Sequence, residues 1–297
     1  MLSNLKQKFQ TWSSMIKIEH TLFSLPFVLS AAVLAIYYLS SSSILSLEFW
    51  SVVPWQSFVW IALCLLGARS AGMSLNRIID AEIDARNPRT AEREIPAGKI
   101  SKTQAWIFTL FSFAFLIYGA FQLPKLCQIL LPIPVIWVFV YPYLKRLTWF
   151  AHFFLGTTLA GATLGGWIAI TGSVDTLAPI YLSLAVCFWV SGFDIIYATQ
   201  DLDFDREAKL HSVPSVFGRG KALRLARFLH FLTPLFLFLA GESLGLGLIY
   251  KLGILAVIGA LFYEQKLVQD DKIEAAFFTV NSWISVLIFV FVLLDLV

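Results

Sequence analysis

The chain has 297 residues, of which 58% are hydrophobic and only 14% are charged, and its mean hydropathy is +0.77. A soluble domain usually carries about 25% charged residues, so this composition excludes an ordinary water-soluble globular fold. Several apolar runs approach about 20 residues, the length that a helix needs to cross a bilayer. The composition therefore predicts an all-α, polytopic protein embedded in a lipid bilayer.

The apolar runs predict nine transmembrane helices within one domain that covers residues 1–297. Of the 22 Lys and Arg residues, all but Arg69, Lys125 and Lys251 lie in the N-terminal tail, in the loops after even-numbered spans, or at the helix ends beside them. The positive-inside rule then places the N-terminus and these loops in the cytoplasm. We expect the membrane to be a bacterial inner membrane. The predicted spans are 18–39, 56–80, 103–123, 126–144, 149–171, 177–200, 221–240, 244–263 and 275–296.

Polar residues interrupt the apolar pattern around the first two spans. Lys17 and His20 sit beside the first span, where they fit an interfacial anchor or a binding group for an acidic aromatic substrate. Arg69 lies inside the second span, and steps of seven and four residues put Arg69, Asn76 and Asp80 on one helical face. An arginine at membrane depth is costly unless it faces a partner or a cavity. The pattern fits an Arg–acid pair or a polar wall that receives an anionic substrate.

The first acidic motif, D-x-x-x-D, closes the second span with Asp80 and Asp84. On a helix these carboxylates lie one turn apart on one face. Two like charges this close resist joint ionisation unless a cation lies between them. Mg²⁺ prefers such oxygen ligands and often shares its shell with substrate phosphates. The motif therefore predicts a metal–diphosphate site.

Polar and basic residues follow the first motif in the next loop and also at the end of the fourth span. Arg89 and Arg93 lie in the next loop, and Tyr141 and Lys145 close the fourth span. Guanidinium groups bind phosphate oxygens well because their donors form a planar fork. The order of acids and then arginines therefore predicts carboxylates that hold the metal and cations that bind the diphosphate.

The second acidic motif repeats this logic at the end of the sixth span. Asp201 and Asp205 form another D-x-x-x-D, and the helical period places Asp194 and Tyr197 on the same stripe. The two motifs are separated by 121 residues (80 to 201) and by four spans. This spacing predicts a weak internal duplication, with pseudo-repeats of about 1–145 and 146–297.

At these residues the chain resembles the UbiA-type membrane prenyltransferases, close to the 4-hydroxybenzoate polyprenyltransferase branch. The family pattern R-x-x-G-x-x-x-N-x-x-x-D-x-x-x-D begins here at Arg69, and D-x-x-Y-A-x-x-D-x-x-x-D begins at Asp194. R-T-A-x-R-x-x-P-x-G begins at Arg89, and Y-P-x-x-K-R begins at Tyr141. Together these motifs span most of the chain.

The resemblance implies nine helices around a central cavity and Mg²⁺-dependent transfer of a polyprenyl group from a polyprenyl diphosphate to an aromatic acid. It implies that Asp80, Asp84, Asp201 and Asp205 are catalytic and bind the Mg²⁺–diphosphate. It assigns Arg89, Arg93, Tyr141 and Lys145 to the diphosphate, and Arg69 and Asn76 to the aromatic pocket. We expect Lys17, Asp194 and Tyr197 to contact substrate as well, and we expect no nucleic-acid partner.

The sequence leaves alternatives open for the aromatic acceptor and for the class of protein. The acceptor could be 4-hydroxybenzoate, in ubiquinone synthesis, or a hydroxynaphthoate, because Arg77 and the stretch after Met15 resemble the menaquinone-pathway subgroup. An ion-coupled transporter could use the intramembrane Arg69 and Asp194, but it does not explain acids and arginines gathered on one membrane face. A CDP-alcohol phosphotransferase would need a D-G-x-x-A-R motif, which the sequence lacks.

Overall fold

The computed structural model describes residues 2–17 and 21–297, and within these ranges it contains helices but no strands. A short 3₁₀ turn, Thr199–Asp201, follows α9, and a π-helical turn, Ala276–Val280, precedes α15. The helices are α1 Leu2–Met15, α2 Thr21–Ser40, α3 Leu47–Ser51, α4 Gln56–Asp84, α5 Lys102–Phe121, α6 Lys125–Leu130, α7 Pro132–Leu147, α8 Ala151–Thr171, α9 Ala178–Ala198, α10 Leu202–Glu207, α11 Val213–Phe217, α12 Arg219–Leu244, α13 Leu248–Gln269, α14 Ile273–Ala275 and α15 Asn281–Asp295.

The nine predicted spans are confirmed: in the described part of the chain, nine segments are long and apolar enough to cross a bilayer. The second span continues four residues past its predicted end, so that α4 ends at Asp84. The fourth span is divided at Leu131 into α6 and α7. Pro132 explains this division, because proline has no amide hydrogen to continue the preceding helix.

An N-terminal helix, α1, was not predicted. Its apolar side chains pack on the motif end of α4 and on the first turns of α5, where Met15 is fully buried. The rings of Trp12 and Phe108 lie 4.8 Å apart between their centroids. The helix therefore covers the end of the bundle that carries the first acidic motif.

Glycines bring the motif helices close to their neighbours. A Cβ at Gly67 of α4 would lie 2.7 Å from the backbone nitrogen of Leu116 in α5. A Cβ at Gly156 of α8 would lie 2.5 Å from the carbonyl oxygen of Cys187 in α9. Small residues of this kind allow membrane helices to pack backbone to backbone. The helices that present the two motifs are thereby fixed by direct contact with α5 and α8.

The first acidic motif ends α4, and the second lies in the 3₁₀ turn and in α10, just after α9. Both α7 and α8 contact α4, and α8 also contacts α9. Each motif helix packs along the span that follows it, α4 on α5 and α9 on α12. The internal duplication itself stays a prediction.

Candidate active site

The first acidic motif is held by cations from α7. Asp80 has an exposed fraction of only 1%, and its Oδ2 lies 2.5 Å from Lys145 Nζ. The Arg146 guanidinium lies 3.3 Å from the other oxygen and donates to the Ile79 carbonyl at 2.7 Å. Because breaking a buried ion pair on one side leaves an uncompensated charge, these contacts fix Asp80 firmly against α7.

Asp84 is paired with its own loop. The Arg93 Nη1 donates to both carboxylate oxygens, at 2.7 and 2.9 Å. The Thr90 hydroxyl donates to the Asp84 backbone carbonyl at 3.0 Å, beside the Asn87 backbone amide at 3.3 Å, so both groups cap a carbonyl at the end of α4. The loop after α4 therefore folds back over the motif that precedes it.

The second motif does not lie on one continuous helix, in contrast to the prediction. α9 ends at Ala198, Asp201 lies in the 3₁₀ turn, and Asp205 lies on α10. The Asn87 amide donates to Asp201 Oδ1 at 3.0 Å, and the Ser212 hydroxyl donates to Asp205 Oδ2 at 2.8 Å. A contact from the distant loop after α4 and one from the loop directly after α10 thus hold these carboxylates, in place of a regular helical stripe.

Arg89 joins the two motifs. It follows the first motif, but its Nε donates to Asp201 Oδ1 at 2.8 Å and its Nη2 pairs with Asp201 Oδ2. Its Nη1 donates to the Tyr197 hydroxyl at 2.9 Å. Partial burial alone lowers the pKa of the Arg89 guanidinium, but hydrogen bonding and charge from Asp201 outweigh this effect and raise that pKa above its ordinary value. Arg89 is therefore a permanent cation.

Asp194 lies away from the cavity that the other acids line, beside His152. His152 Nδ1 lies 2.6 Å from Asp194 Oδ2, and the Val213 amide donates to His152 Nε2 at 3.2 Å. Because a backbone amide can only donate, Nε2 is the acceptor and Nδ1 carries the proton toward Asp194. His152 is therefore a buried histidine whose two ring nitrogens both have partners.

Arg69, in the middle of α4, contacts Lys17, which lies just after α1. The Arg69 Nη2 donates to the backbone carbonyl of Lys17 at 3.1 Å. Lys17 has a positive φ of 49°, in the left-handed region that non-glycine residues rarely occupy. His20 lies outside the described residues. Neither Arg69 nor Lys17 lines the cavity described below, and their substrate contacts stay predictions.

One cavity of about 170 Å³ brings together most of the residues that the sequence singled out. All four motif carboxylates reach it, with cations from the loop and from α7. Tyr197 borders it through Arg89. The predicted residues that line it are Asn76, Asp80, Asp84, Arg89, Arg93, Tyr141, Lys145, Asp201 and Asp205.

The donor chemistry of this cavity fits a hard cation. Its acids are all carboxylates, and oxygen donors are the ligands that Mg²⁺ prefers. In residues 2–17 and 21–297, no three acidic, imidazole or thiol groups converge as a formed metal cluster. Asp80, Asp84 and Asp201 are instead each paired with a basic side chain. These residues could hold a divalent cation once their ion pairs rearrange.

Four residues in contact with the motif aspartates were not predicted as site residues; Asn87 and Thr90 line the cavity, whereas Ser212 and Arg146 do not. Asn87, Thr90 and Ser212 hydrogen-bond to motif aspartates, and Arg146 approaches Asp80. Their sequence signal is modest, because Asn87 and Thr90 lie within six residues after Asp84 and Ser212 lies in the loop after Asp205. Polar residues that directly follow each acidic motif are the sequence feature that marks them.

Comparison with known proteins identifies the fold and the family. The model of the UbiA prenyltransferase family matches residues 31–287. A 4-hydroxybenzoate octaprenyltransferase of Aliivibrio fischeri (strain MJ11) is 31% identical over 242 residues, which cover 80% of this chain and 82% of that protein. The corresponding protein of Shewanella halifaxensis is 30% identical over 244 residues, or 80% and 83% of the two chains.

Two solved structures share the architecture. The apo structure of a UbiA homologue from Aeropyrum pernix K1 is 29% identical, with a TM-score of 0.82 over 94% of this chain and 99% of that one. A UbiA homologue from Archaeoglobus fulgidus, bound to GPP and Mg²⁺, is 18% identical and shares the fold with a TM-score of 0.69 over 95% and 99% of the chains. The protein is thus an enzyme of prenyl transfer rather than an ion-coupled transporter, and it belongs to the UbiA prenyltransferase family.

Proposed function

We propose that this enzyme transfers a polyprenyl group from an allylic polyprenyl diphosphate to 4-hydroxybenzoate, with Mg²⁺ as cofactor, in ubiquinone biosynthesis. The observation that carries the proposal is the cavity in which four carboxylates face Arg89, Arg93 and Lys145. The names of the Aliivibrio and Shewanella relatives support this acceptor. The GPP and Mg²⁺ bound to the Archaeoglobus homologue support the donor and the cofactor.

The charged cavity suits a diphosphate leaving group. Asp80, Asp84, Asp201 and Asp205 would hold the Mg²⁺, which when bound would neutralise charge on the diphosphate oxygens. Lys145, Arg89 and Arg93 already lie beside the first three of these carboxylates. In the loaded enzyme these cations would turn from the carboxylates to the diphosphate oxygens, while Tyr141 would contribute a hydroxyl donor. Ion pairs within the cavity therefore keep both sets of groups in place before substrate binds.

The reaction proposed is an electrophilic aromatic substitution. The bond between the allylic carbon and the diphosphate oxygen breaks, and the diphosphate leaves with the electron pair. Preorganised cations stabilise the negative charge that develops on this leaving group. The ring carbon ortho to the phenol hydroxyl attacks the allylic cation, and the proton on that carbon passes to a carboxylate of the cavity, which restores the aromatic ring. The surrounding bundle excludes the water that would otherwise capture the cation.

The acceptor would lie deeper along α4 than the diphosphate. Arg69 precedes Asp80 by eleven residues, which is about 16 Å along a helix, and Asn76 lies between them. Arg69 would face the carboxylate of the aromatic acid, with Lys17 at the entry. Asp194 would extend the second motif inward in the same way, whereas Tyr197, whose hydroxyl contacts Arg89, would lie beside the diphosphate. The polar wall of α4 would thus orient the ring toward the reacting carbon.

We further propose that the protein lies in a bacterial inner membrane, with its N-terminus and its active site on the cytoplasmic side. We also propose that the chain consists of two pseudo-repeats, of about 1–145 and 146–297. The distribution of Lys and Arg supports this orientation, because cytoplasmic loops of membrane proteins are enriched in these residues. A cysteine placed in the exposed loop after α4, at Lys99, should react with an impermeant thiol reagent only in inverted membrane vesicles.

A direct assay tests the reaction. Membranes containing the protein are incubated with a labelled allylic diphosphate, Mg²⁺ and a panel that includes 4-hydroxybenzoate and 1,4-dihydroxy-2-naphthoate. The expected result is a prenylated 4-hydroxybenzoate that disappears when EDTA removes the metal. Product with the naphthoate alone would refute the acceptor, and no product with any aromatic acid would refute the proposed function.

A further inference from the structure

A polar network lies apart from the cavity, in the apolar interior where four membrane spans meet. Asn281, the first residue of α15, is fully buried, and its Nδ2 donates to Glu264 Oε1 at 2.9 Å. Its Oδ1 accepts a hydrogen bond from Trp189 Nε1 at 2.7 Å. The second oxygen of Glu264 lies 3.0 Å from His230 Nδ1. Because polar groups buried among membrane spans are costly, a hydrogen-bonded network that joins four spans indicates a specific role.

Asn281 also stabilises the π-helical turn directly before it. Its Nδ2 lies 3.2 Å from the carbonyl oxygen of Ala276 and 3.1 Å from that of Phe277. π-helical turns are rare and occur frequently at functional sites. Because one side-chain amide contacts two carbonyls of the turn and a carboxylate of α13, Asn281 ties the turn to its neighbour.

The turn places Phe277 against Tyr197 of α9. The rings of Phe277 and Tyr197 lie 4.2 Å apart between their centroids and are tilted by 30°. Tyr197 in turn accepts the hydrogen bond from Arg89 Nη1, and the Arg89 guanidinium lies 5.2 Å from the centre of the Tyr197 ring. A continuous path of contacts therefore runs from Asn281 through Phe277 and Tyr197 to Arg89.

We propose that Asn281 is a positioning residue for the binding of the prenyl diphosphate. By holding the π-helical turn, it keeps Phe277 against Tyr197, and Tyr197 then orients Arg89 toward the cavity. This inference rests on the proposed function, in which Arg89 binds the diphosphate. Among the described contacts this path ends at Arg89, which the proposed function assigns to the diphosphate, so the KM of the donor should respond and the KM of the acceptor should not.

Steady-state kinetics with geranyl diphosphate as donor test this inference. Asn281→Leu should raise the KM for geranyl diphosphate about tenfold, the scale of coupling between residues in contact. The KM for 4-hydroxybenzoate should stay unchanged. In a Tyr197→Phe background, where the hydroxyl contact to Arg89 is already lost, Asn281→Leu should raise the donor KM much less. A full tenfold rise in both backgrounds would overturn the path through Tyr197.

Tyr250→Phe provides the matched control. Tyr250 is also buried in the bundle, on α13, and its hydroxyl donates to the Leu237 carbonyl at 2.9 Å. The substitution therefore removes one buried hydrogen bond without touching the path to Arg89. Both KM values should remain at the wild-type level. An equal rise in donor KM for Tyr250→Phe would show that the Asn281 effect comes from general loosening of the bundle and not from loss of the path to Arg89.

A second variant keeps the test decisive if Asn281→Leu does not fold. Phe277→Leu retains an apolar side chain but removes the ring that packs on Tyr197, and it should give the same selective rise in donor KM. An unchanged donor KM in folded Phe277→Leu or Asn281→Leu would overturn the inference alone. Failure of the wild type to prenylate any aromatic acid, with normal binding of geranyl diphosphate, would instead refute the proposed function.

Discussion

Neutralising Asp80 offers a sharp test of the site, because this carboxylate combines deep burial with two cationic neighbours. Asp80→Asn keeps the size of the side chain and removes its charge. Lys145 Nζ and the Arg146 guanidinium, at 2.5 and 3.3 Å, then lose their counter-charge. Removing one partner of a buried pair costs about 3–5 kcal/mol when the other stays buried. The cations here are 31% and 37% exposed and can turn to water, so we expect a loss of about 1–2 kcal/mol of stability.

The effect on activity should be larger than the effect on folding. If Asp80 helps to hold the metal–diphosphate, its neutralisation removes a preorganised charge at the leaving group, which costs about 10²–10³-fold in kcat. The assay is the initial rate of prenylation of 4-hydroxybenzoate by purified enzyme, with protein folding followed by thermal unfolding in the same detergent. We expect a folded protein with kcat reduced at least about 100-fold.

Glu82→Gln is the control for Asp80→Asn. Glu82 lies two residues away on α4, its side chain is 81% exposed, and its nearest cation, Lys102 Nζ, lies 3.8 Å away. The substitution makes the same change in charge outside the cavity, so kcat should not change. A near-normal kcat for Asp80→Asn would refute the role of the first motif, and an equal loss in Glu82→Gln would show that the carboxylate's position is irrelevant.

Three further substitutions test other parts of the site. Arg89→Lys replaces a forked cation that contacts Asp201 and Tyr197 with a point charge, and the KM for the prenyl diphosphate should rise about tenfold. Ser212→Ala removes the hydrogen bond to Asp205; thermal unfolding should show a loss of about 1 kcal/mol, and kcat should fall severalfold. Lys17→Ala should raise the KM of the aromatic acid alone, and an unchanged value would exclude Lys17 from the acceptor entry.

The spans could be predicted from the sequence because a membrane helix must satisfy its own backbone and expose apolar side chains to lipid. The same reasoning missed α1, because that helix is amphipathic and rests on the end of the bundle through Met15 and Trp12. It also expected one helical stripe to continue through Asp205, whereas α9 ends at Ala198, where no Gly or Pro interrupts the sequence. Helix α1 and the end of α9 both depend on tertiary contacts, which cannot be predicted from hydropathy.

The site could be predicted in its composition but not in its pairing. Two acidic motifs followed by basic residues indicated where carboxylates and cations would gather, and nine of the predicted residues do line one cavity. Spacing along the chain did not indicate which carboxylate each cation of the first loop would contact. Arg93 binds Asp84, whereas Arg89 binds Asp201 across the cavity.

The difference between Arg89 and Arg93 follows from how the loop leaves α4. Asn87 donates to Asp201 and its Oδ1 accepts from the Arg89 amide at 2.9 Å, so this part of the loop lies against the second motif. Four residues later, Arg93 has returned to Asp84. One short loop thus connects both acidic motifs, and a change at Asn87 should disturb the two halves of the site together. Asn87→Ala should therefore raise the KM for the prenyl diphosphate by more than the loss of one side-chain contact with Asp201 suggests. A rise in this KM no larger than the one that Ser212→Ala produces would mean that the loop is held without Asn87.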